Sequence, residues 1–281
     1  MRLAVFLLVV ALGILAILLD PQHDPAIGPR ELVPAWPHTD ADDWRYPPRV
    51  GMVMDSVTGA RVIDKRFERQ LRRYEPASHG YTFKKQSDSA LTYVAVPAVD
   101  GRLHSPQAFL LGRAPYAVDQ AWMPLYAISE RMRYQLDKQQ FRGREEVWLT
   151  TLQAWSHAKG DCEDHAIPLA DWLIELGLDA RVVLGMHRRE GHAWVVVFKE
   201  GQEYLLEATD KTKVKNWSAY PLAKLLPDYH PEMMFNRETL WVNTGSALTV
   251  NYTGPQWQAT LSFNRACGAT EVTAPGANCG Q

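Results

Sequence analysis

Cysteine is scarce: the chain has three in 281 residues, at Cys162, Cys267 and Cys279. That excludes a disulfide scaffold and leaves room for one bridge and one free thiol. Charge of one sign is lacking too. Lys and Arg number 30 against 32 Asp and Glu, a formal net charge of −2, so nothing here calls for a nucleic-acid partner. No segment recurs at a fixed period, which argues against solenoids and propellers. What remains is 46% hydrophobic and 22% charged residues, ordinary for a globular chain long enough for one large domain or two small ones.

The long apolar run stands at the start. Met1-Arg2 is followed by apolar residues from Leu3 to Leu19, closed by Asp20-Pro21. About 20 residues span a bilayer, with a lower limit near 17. A secretory signal core is shorter, roughly 7–15 residues, and small residues mark its cleavage site. No Ala-x-Ala precedes Asp20, so residues 1–19 are expected to be an uncleaved signal anchor, a transmembrane helix with Arg2 inside and the rest exported. A cleaved signal is the alternative. Prolines then recur at Pro21, Pro25, Pro29, Pro34, Pro37, Pro47 and Pro48, which makes 20–48 an extended linker.

The chemistry gathers around Gly160-Asp161-Cys162-Glu163-Asp164-His165-Ala166. Ala166, Leu169, Ala170, Leu173 and Leu176 follow at helical spacing, and Gly177 marks the end. Asp161 is placed to cap this helix, and Cys162 falls in its first turn, where backbone N–H groups and the macrodipole favour a thiolate. Pro168 predicts a kink or a late helix start. Further on, Gly191-His192-Ala193-Trp194 and Tyr204-Leu205-Leu206-Glu207 read as two strands joined by a turn centred on Glu200-Gly201. That register sets His192 opposite Thr209 and Glu207 opposite Trp194. His192 and Glu207 then share a face as diagonal neighbours, roughly 7–8 Å apart at the backbone. Asp210 has the wrong parity.

Cysteine at a helix start, histidine on one strand and an acid on the next resembles the transglutaminase-like superfamily of papain-type thiol enzymes. The Gly-Asp-Cys-Glu-Asp string is most similar to the bacterial transglutaminase-like cysteine proteinases. The resemblance runs from about Met123 to Lys215. Its acid usually stands in a Leu-Asp-Pro-Thr-like string; here the string is Leu206-Glu207-Ala208-Thr209. The resemblance implies an α+β, papain-like core with the cysteine helix packed on an antiparallel sheet. It implies acyl transfer through a Cys162 thioester, with His192 as acid and base and Glu207 orienting the imidazole. Protein or peptide is the implied substrate, and a bacterial inner membrane and periplasm the implied setting. The triad needs no cofactor. Some resembling proteinases bind calcium through the acids flanking the cysteine, here Asp161 and Glu163. A zinc site from Cys162, His165, His157 and His192 lacks regular spacing.

Other expectations are coarser. Residues 49–115 form the N-terminal part of the globular domain, with a short helix over 64–74 and strands near 81–83 and 91–96. The catalytic core spans 116–220, with a helix over 125–138 that buries Leu125, Ile128, Met132 and Leu136. Residues 221–281 supply a helical turn, strands at 240–242, 248–252 and 257–263, and a tail. In an exported chain Cys267 and Cys279 are expected to bridge, leaving Cys162 free. Trp148 is read as core rather than cleft. The Cys162 backbone N–H is the first candidate oxyanion donor, with Gln153 and Trp148 considered for the second. Three functions remain open: a peptidase, an amide-transfer enzyme with the same triad, and a non-catalytic binding module.

Overall fold

The structure, a computed structural model, describes residues 46–62, 81–84, 92–210 and 220–265. The expected anchor, the linker up to residue 45, the helix over 64–74 and the Cys267–Cys279 bridge lie outside the described residues. Among the described residues no helix is long and apolar enough to cross a membrane.

In chain order the strands are β1 (Gly51–Asp55), β2 (Tyr81–Lys84), β3 (Thr92–Pro97), β4 (Leu103–His104), β5 (Arg133–Tyr134) and β6 (Lys159–Gly160), then β7 (Asp179–His187), β8 (Glu190–Lys199), β9 (Gln202–Leu206), β10 (Tyr229–Phe235), β11 (Thr239–Asn243) and β12 (Trp257–Arg265). The helices are α1 (Met123–Arg131), α2 (Asp137–Gln140), α3 (Thr151–His157) and α4 (Cys162–Glu175). Seven strands pair antiparallel in the order β1-β12-β11-β10-β7-β8-β9. Helix α4 lies against β7 and β8, and α1 and α3 pack on α4. The result is a mixed α/β fold built on a large antiparallel sheet.

The apolar run in β8 follows from burial on both faces. Ala193, Val195 and Val197 join Ala166, Ile167, Leu169, Ala170 and Leu173 of α4 in the main core. Trp194 and Val196 face the other way, into a second cluster with Leu205, Tyr229, Met234 and Tyr252. A strand covered on both sides has no polar alternation to show.

Four expectations change. The helix over 125–138 ends at Arg131, and Met132 turns extended at φ −87°, ψ 140°. Arg133 and Tyr134 pair in parallel with Lys159 and Gly160 instead, and Leu136 is exposed. Helix α4 starts at Cys162 with Pro168 inside it, so of the kink or late start expected there the late start does not occur; Pro168 leaves the Asp164 carbonyl without its helical N–H partner. Residues 248–252 are a loop, pinned where the Trp194 indole donates to the Tyr252 hydroxyl at 2.9 Å. Strand β10 was not expected, because Pro231 interrupts its pattern. The register shifts there, between Pro231 and Met233, as proline within a sheet requires.

Candidate active site

Gly160 is fixed by space. A Cβ on it would stand 2.3 Å from the Asp164 Cβ, so the Gly-Asp-Cys string needs glycine at its first position. Its carbonyl accepts from the Gln135 N–H at 2.9 Å, which ties the approach to Cys162 to the segment after α1. Asp161 stands at the cap position of α4, at φ −95°, ψ −147°, yet its side chain makes no capping bond. The expected cap is therefore absent. The Asp161 carbonyl takes over part of that work: it accepts from the His165 N–H at 3.3 Å and lies 2.7 Å from the His165 Nδ1. That fixes the buried His165 ring as a structural group.

Cys162 heads α4 and is partly buried. Its Sγ donates to Glu163 Oε2 at 3.4 Å, and the Ala193 backbone N–H is close enough to favour its thiolate form. The thiol thus rests on the residue next to His192. Among the described residues it is a free cysteine.

His192 and Glu207 meet as the register predicts. Strands β8 and β9 pair from Val195–Leu206 to Lys199–Gln202, around a turn with Glu200 at φ 52° and Gly201 at φ 72°. Continued past Leu206, this register sets Glu207 opposite Trp194. The His192 Nε2 is 2.6 Å from Glu207 Oε2. Glu207 Oε1 accepts from the Thr209 N–H at 2.9 Å and from the Thr209 hydroxyl at 2.6 Å, and the Tyr229 hydroxyl donates to Oε2 at 3.3 Å. Burial pushes the Glu207 carboxyl up, but the hydrogen bond and charge of His192, with the two Thr209 donors, outweigh it and hold the group below its usual range. The His187 ring stacks on Tyr229 at 3.9 Å and lies 5.5 Å from His192.

Beside the thiol lies a cluster of acids. Asp137, Asp161, Glu163 and Asp164 each bring a carboxylate oxygen to within 4.8 Å of the others. All four residues are buried, and Asp137 Oδ1, Asp161 Oδ1, Glu163 Oε1 and Asp164 Oδ2 have no hydrogen-bond partner among the described residues. Burial, then the Asp161 charge, pushes the Asp137 carboxyl up to about 8, and the same causes raise Glu163 and Asp164 well above the carboxylate range. Burial, followed by Asp161, pushes the Cys162 thiol up to about 12. With the acids alone around it the thiol therefore stays protonated, against the expectation from the helix terminus. The donor set is oxygen-rich and anionic, which suits a hard divalent cation. Asp137 and Asp164 extend the expected pair Asp161 and Glu163. The zinc set is not assembled, since His157 Nε2 lies 2.9 Å from Gln140 Oε1 and His165 is turned to the Asp161 carbonyl.

The two considered oxyanion donors are engaged elsewhere. The Gln153 side chain closes a capping box with Thr150 at the start of α3. The Trp148 indole donates to Glu146, and its ring packs between Phe109 and Phe235 in the core. Sequence reasoning missed Tyr229, His187, Asp137 and Tyr134. None shares a motif with the cysteine; each arrives through pairing between distant strands or turns.

Residues 146–260 match the family model described as the CEP76 peptidase-like domain. Among curated proteins, the Centrosomal protein of 76 kDa of Xenopus tropicalis is 44% identical over 55 residues, 19% of this chain and 8% of that protein. Protein CC2D2B of Homo sapiens is 41% identical over 61 residues, 22% of this chain and 4% of that protein. The chain thus spans less than a tenth of the length of these relatives. Among solved structures, Legionella pneumophila LapG shows 20% identity and a TM-score of 0.37, covering 45% of this chain and 68% of LapG. Its calcium-bound form shows 21% identity and a TM-score of 0.35, over 48% and 73%. The matched regions of the family model and of LapG take in under half of this chain; within the family-model match lie Cys162, His192 and Glu207.

Proposed function

We propose that this chain is a transglutaminase-like cysteine peptidase that hydrolyses protein or peptide amide bonds. The observation that carries the reading is the His192–Glu207 hydrogen bond of 2.6 Å, set one residue from the Ala193 backbone N–H, which favours the Cys162 thiolate. With Nε2–H given to Glu207, Nδ1 is the imidazole nitrogen left to take the thiol proton. The Cys162 thiolate attacks the amide carbonyl and forms a thioester. His192 returns the proton to the leaving amine, and water completes hydrolysis. An amine acceptor in place of water would make the same intermediate an amide-transfer step. Water is the default acceptor, because its concentration in solution far exceeds that of any amine.

Asp137, Asp161, Glu163 and Asp164 are proposed to hold a calcium ion. Bound there, the ion would supply positive charge close to the thiol. The residues themselves fix the site: Asp137 accepts from the Val147 N–H and Asp164 from the Leu149 N–H, which orients two carboxylates before any ion arrives. We further propose that the run from Leu3 to Leu19 anchors the chain in a bacterial inner membrane, with the catalytic domain in the periplasm.

A second reading, a non-catalytic binding module, draws on the thiol's upward shift to about 12. The pH dependence of iodoacetamide alkylation at Cys162 separates the two. The peptidase reading expects an inflection below the ordinary thiol value of about 8.5 with calcium present, moving up with a chelator and lost in His192→Ala. No inflection below the ordinary value in either condition sinks the peptidase reading and leaves the binding module.

A further inference from the structure

Tyr134 is the exposed aromatic that the fold brings beside the cysteine. Strand β5 pairs in parallel with β6 so that Tyr134 stands across from Gly160, two residues before Cys162. The Arg133 N–H donates to the Ala158 carbonyl at 3.0 Å and the Gln135 N–H to Gly160 at 2.9 Å, so the backbone is held on both sides of Tyr134. The ring lies 6.2 Å from that of His165, one turn along α4 from Cys162. Half of the residue is exposed, and its hydroxyl has no hydrogen-bond partner among the described residues. Burial, then the charges of Cys162, Asp161, Glu163 and Glu207, push the phenol far above its usual range. The phenol thus keeps its proton, on a ring whose backbone the β5–β6 pairing fixes across from Gly160.

Acyl transfer needs such a donor. The Cys162 backbone N–H, first in its helix, has no intrahelical partner and can donate once to a developing oxyanion. A second donor is still to be placed, since the Trp148 N–H is committed to Glu146.

We propose that the Tyr134 hydroxyl is the second oxyanion donor, hydrogen-bonding the carbonyl oxygen of the acyl group under attack at Cys162. This rests on the acyl-transfer reading above. The sulfur–carbon bond forms as the carbonyl π pair moves onto oxygen, which accepts from the Tyr134 O–H and the Cys162 N–H. No proton passes from tyrosine. When the tetrahedral carbon collapses, the leaving group departs with its electron pair, and an amine leaves with the proton held by His192.

The test uses the whole chain and two probes of the same sulfur. p-Nitrophenyl acetate acylates Cys162 through a tetrahedral oxyanion; iodoacetamide alkylates it by displacement at a saturated carbon, with no oxyanion. In Tyr134→Phe the ring and its packing remain. We expect the Cys162-dependent burst of nitrophenolate to fall on the order of a hundredfold while the alkylation rate is unchanged. Equal losses in both reactions would overturn the proposal, since tyrosine would then act on thiol reactivity. An unchanged burst would overturn it as well, while leaving the acyl-transfer reading in place. If the wild-type chain released no more nitrophenolate than Cys162→Ala, the acyl-transfer reading would fall and this one with it.

Discussion

At the scale of single residues, Gly160 and Glu207 carry separate lessons. Gly160→Ala would drive a methyl group into the Asp164 side chain, and overpacking of this kind costs roughly 1–3 kcal/mol. A lowered Tm by thermal denaturation, with Cys162 alkylation changed because α4 shifts, is the expected outcome. Glu207 was legible in the sequence, because a two-residue turn at Glu200-Gly201 sets the register and the register sets the face. The prediction that follows is chemical. Glu207→Gln should lower peptidase turnover on the order of a hundredfold or more, while Asp210→Asn leaves it near wild type; the opposite pattern would assign the imidazole to Asp210. Cys162→Ala should abolish turnover and leave the Tm close to wild type, since the residue is small and only partly buried. Tyr134 and Tyr229 had no such signal, because each reaches the site through pairing with a segment far from it in sequence.

At the scale of elements, α2 and the start of α4 bring together four buried acids, Asp137, Asp161, Glu163 and Asp164. The unfolded chain releases the Asp137 proton near pH ~4, whereas the folded chain holds it to about 8. Between those values the folded state binds the extra proton, so the stability this group contributes is complete at the acid end and is lost as pH rises. Glu207 has the opposite sign, its carboxyl being depressed in the fold; its contribution is present above the ordinary carboxylate pKa of about 4.3 and is lost only as pH falls below that. The Tm of the chelated protein should therefore fall between roughly pH 5 and pH 8, and Asp137→Asn should flatten that slope. A Tm that climbs over this interval would contradict the burial of the cluster. The helix pattern of α4 could be read from its leucine spacing. The break after α1 could not, since Met132 fits a continuing apolar stripe and only the β5–β6 pairing ends it.

At the scale of the whole molecule, a cation bound to the folded state alone stabilises it by mass action, about 2.7 kcal/mol at a hundred times its dissociation constant. Calcium should raise the Tm of the chain more at pH 8 than at pH 5, because at the lower pH protons compete for the same oxygens. Magnesium should do so less, as it demands a tighter octahedral shell and gives up water reluctantly. A calcium-independent Tm at both values would remove the ion from the site. The sheet itself was half visible in the sequence. The β8–β9 hairpin shows a turn between two apolar runs, and β12 alternates, whereas proline masks β10.

One pairing has a consequence for biosynthesis. Gly51 of β1 lies across from Arg265 of β12, so the first described strand to leave the ribosome borders the last. At roughly 5–20 residues per second, some 200 intervening residues hold β1 without its sheet partner for about 10–40 seconds. The β8–β9 hairpin, by contrast, can close as soon as it emerges, since its two strands are neighbours in the chain. The nascent protein thus carries its His192–Glu207 pair before β12 emerges, and among the described strands the first made is the one that waits for the last.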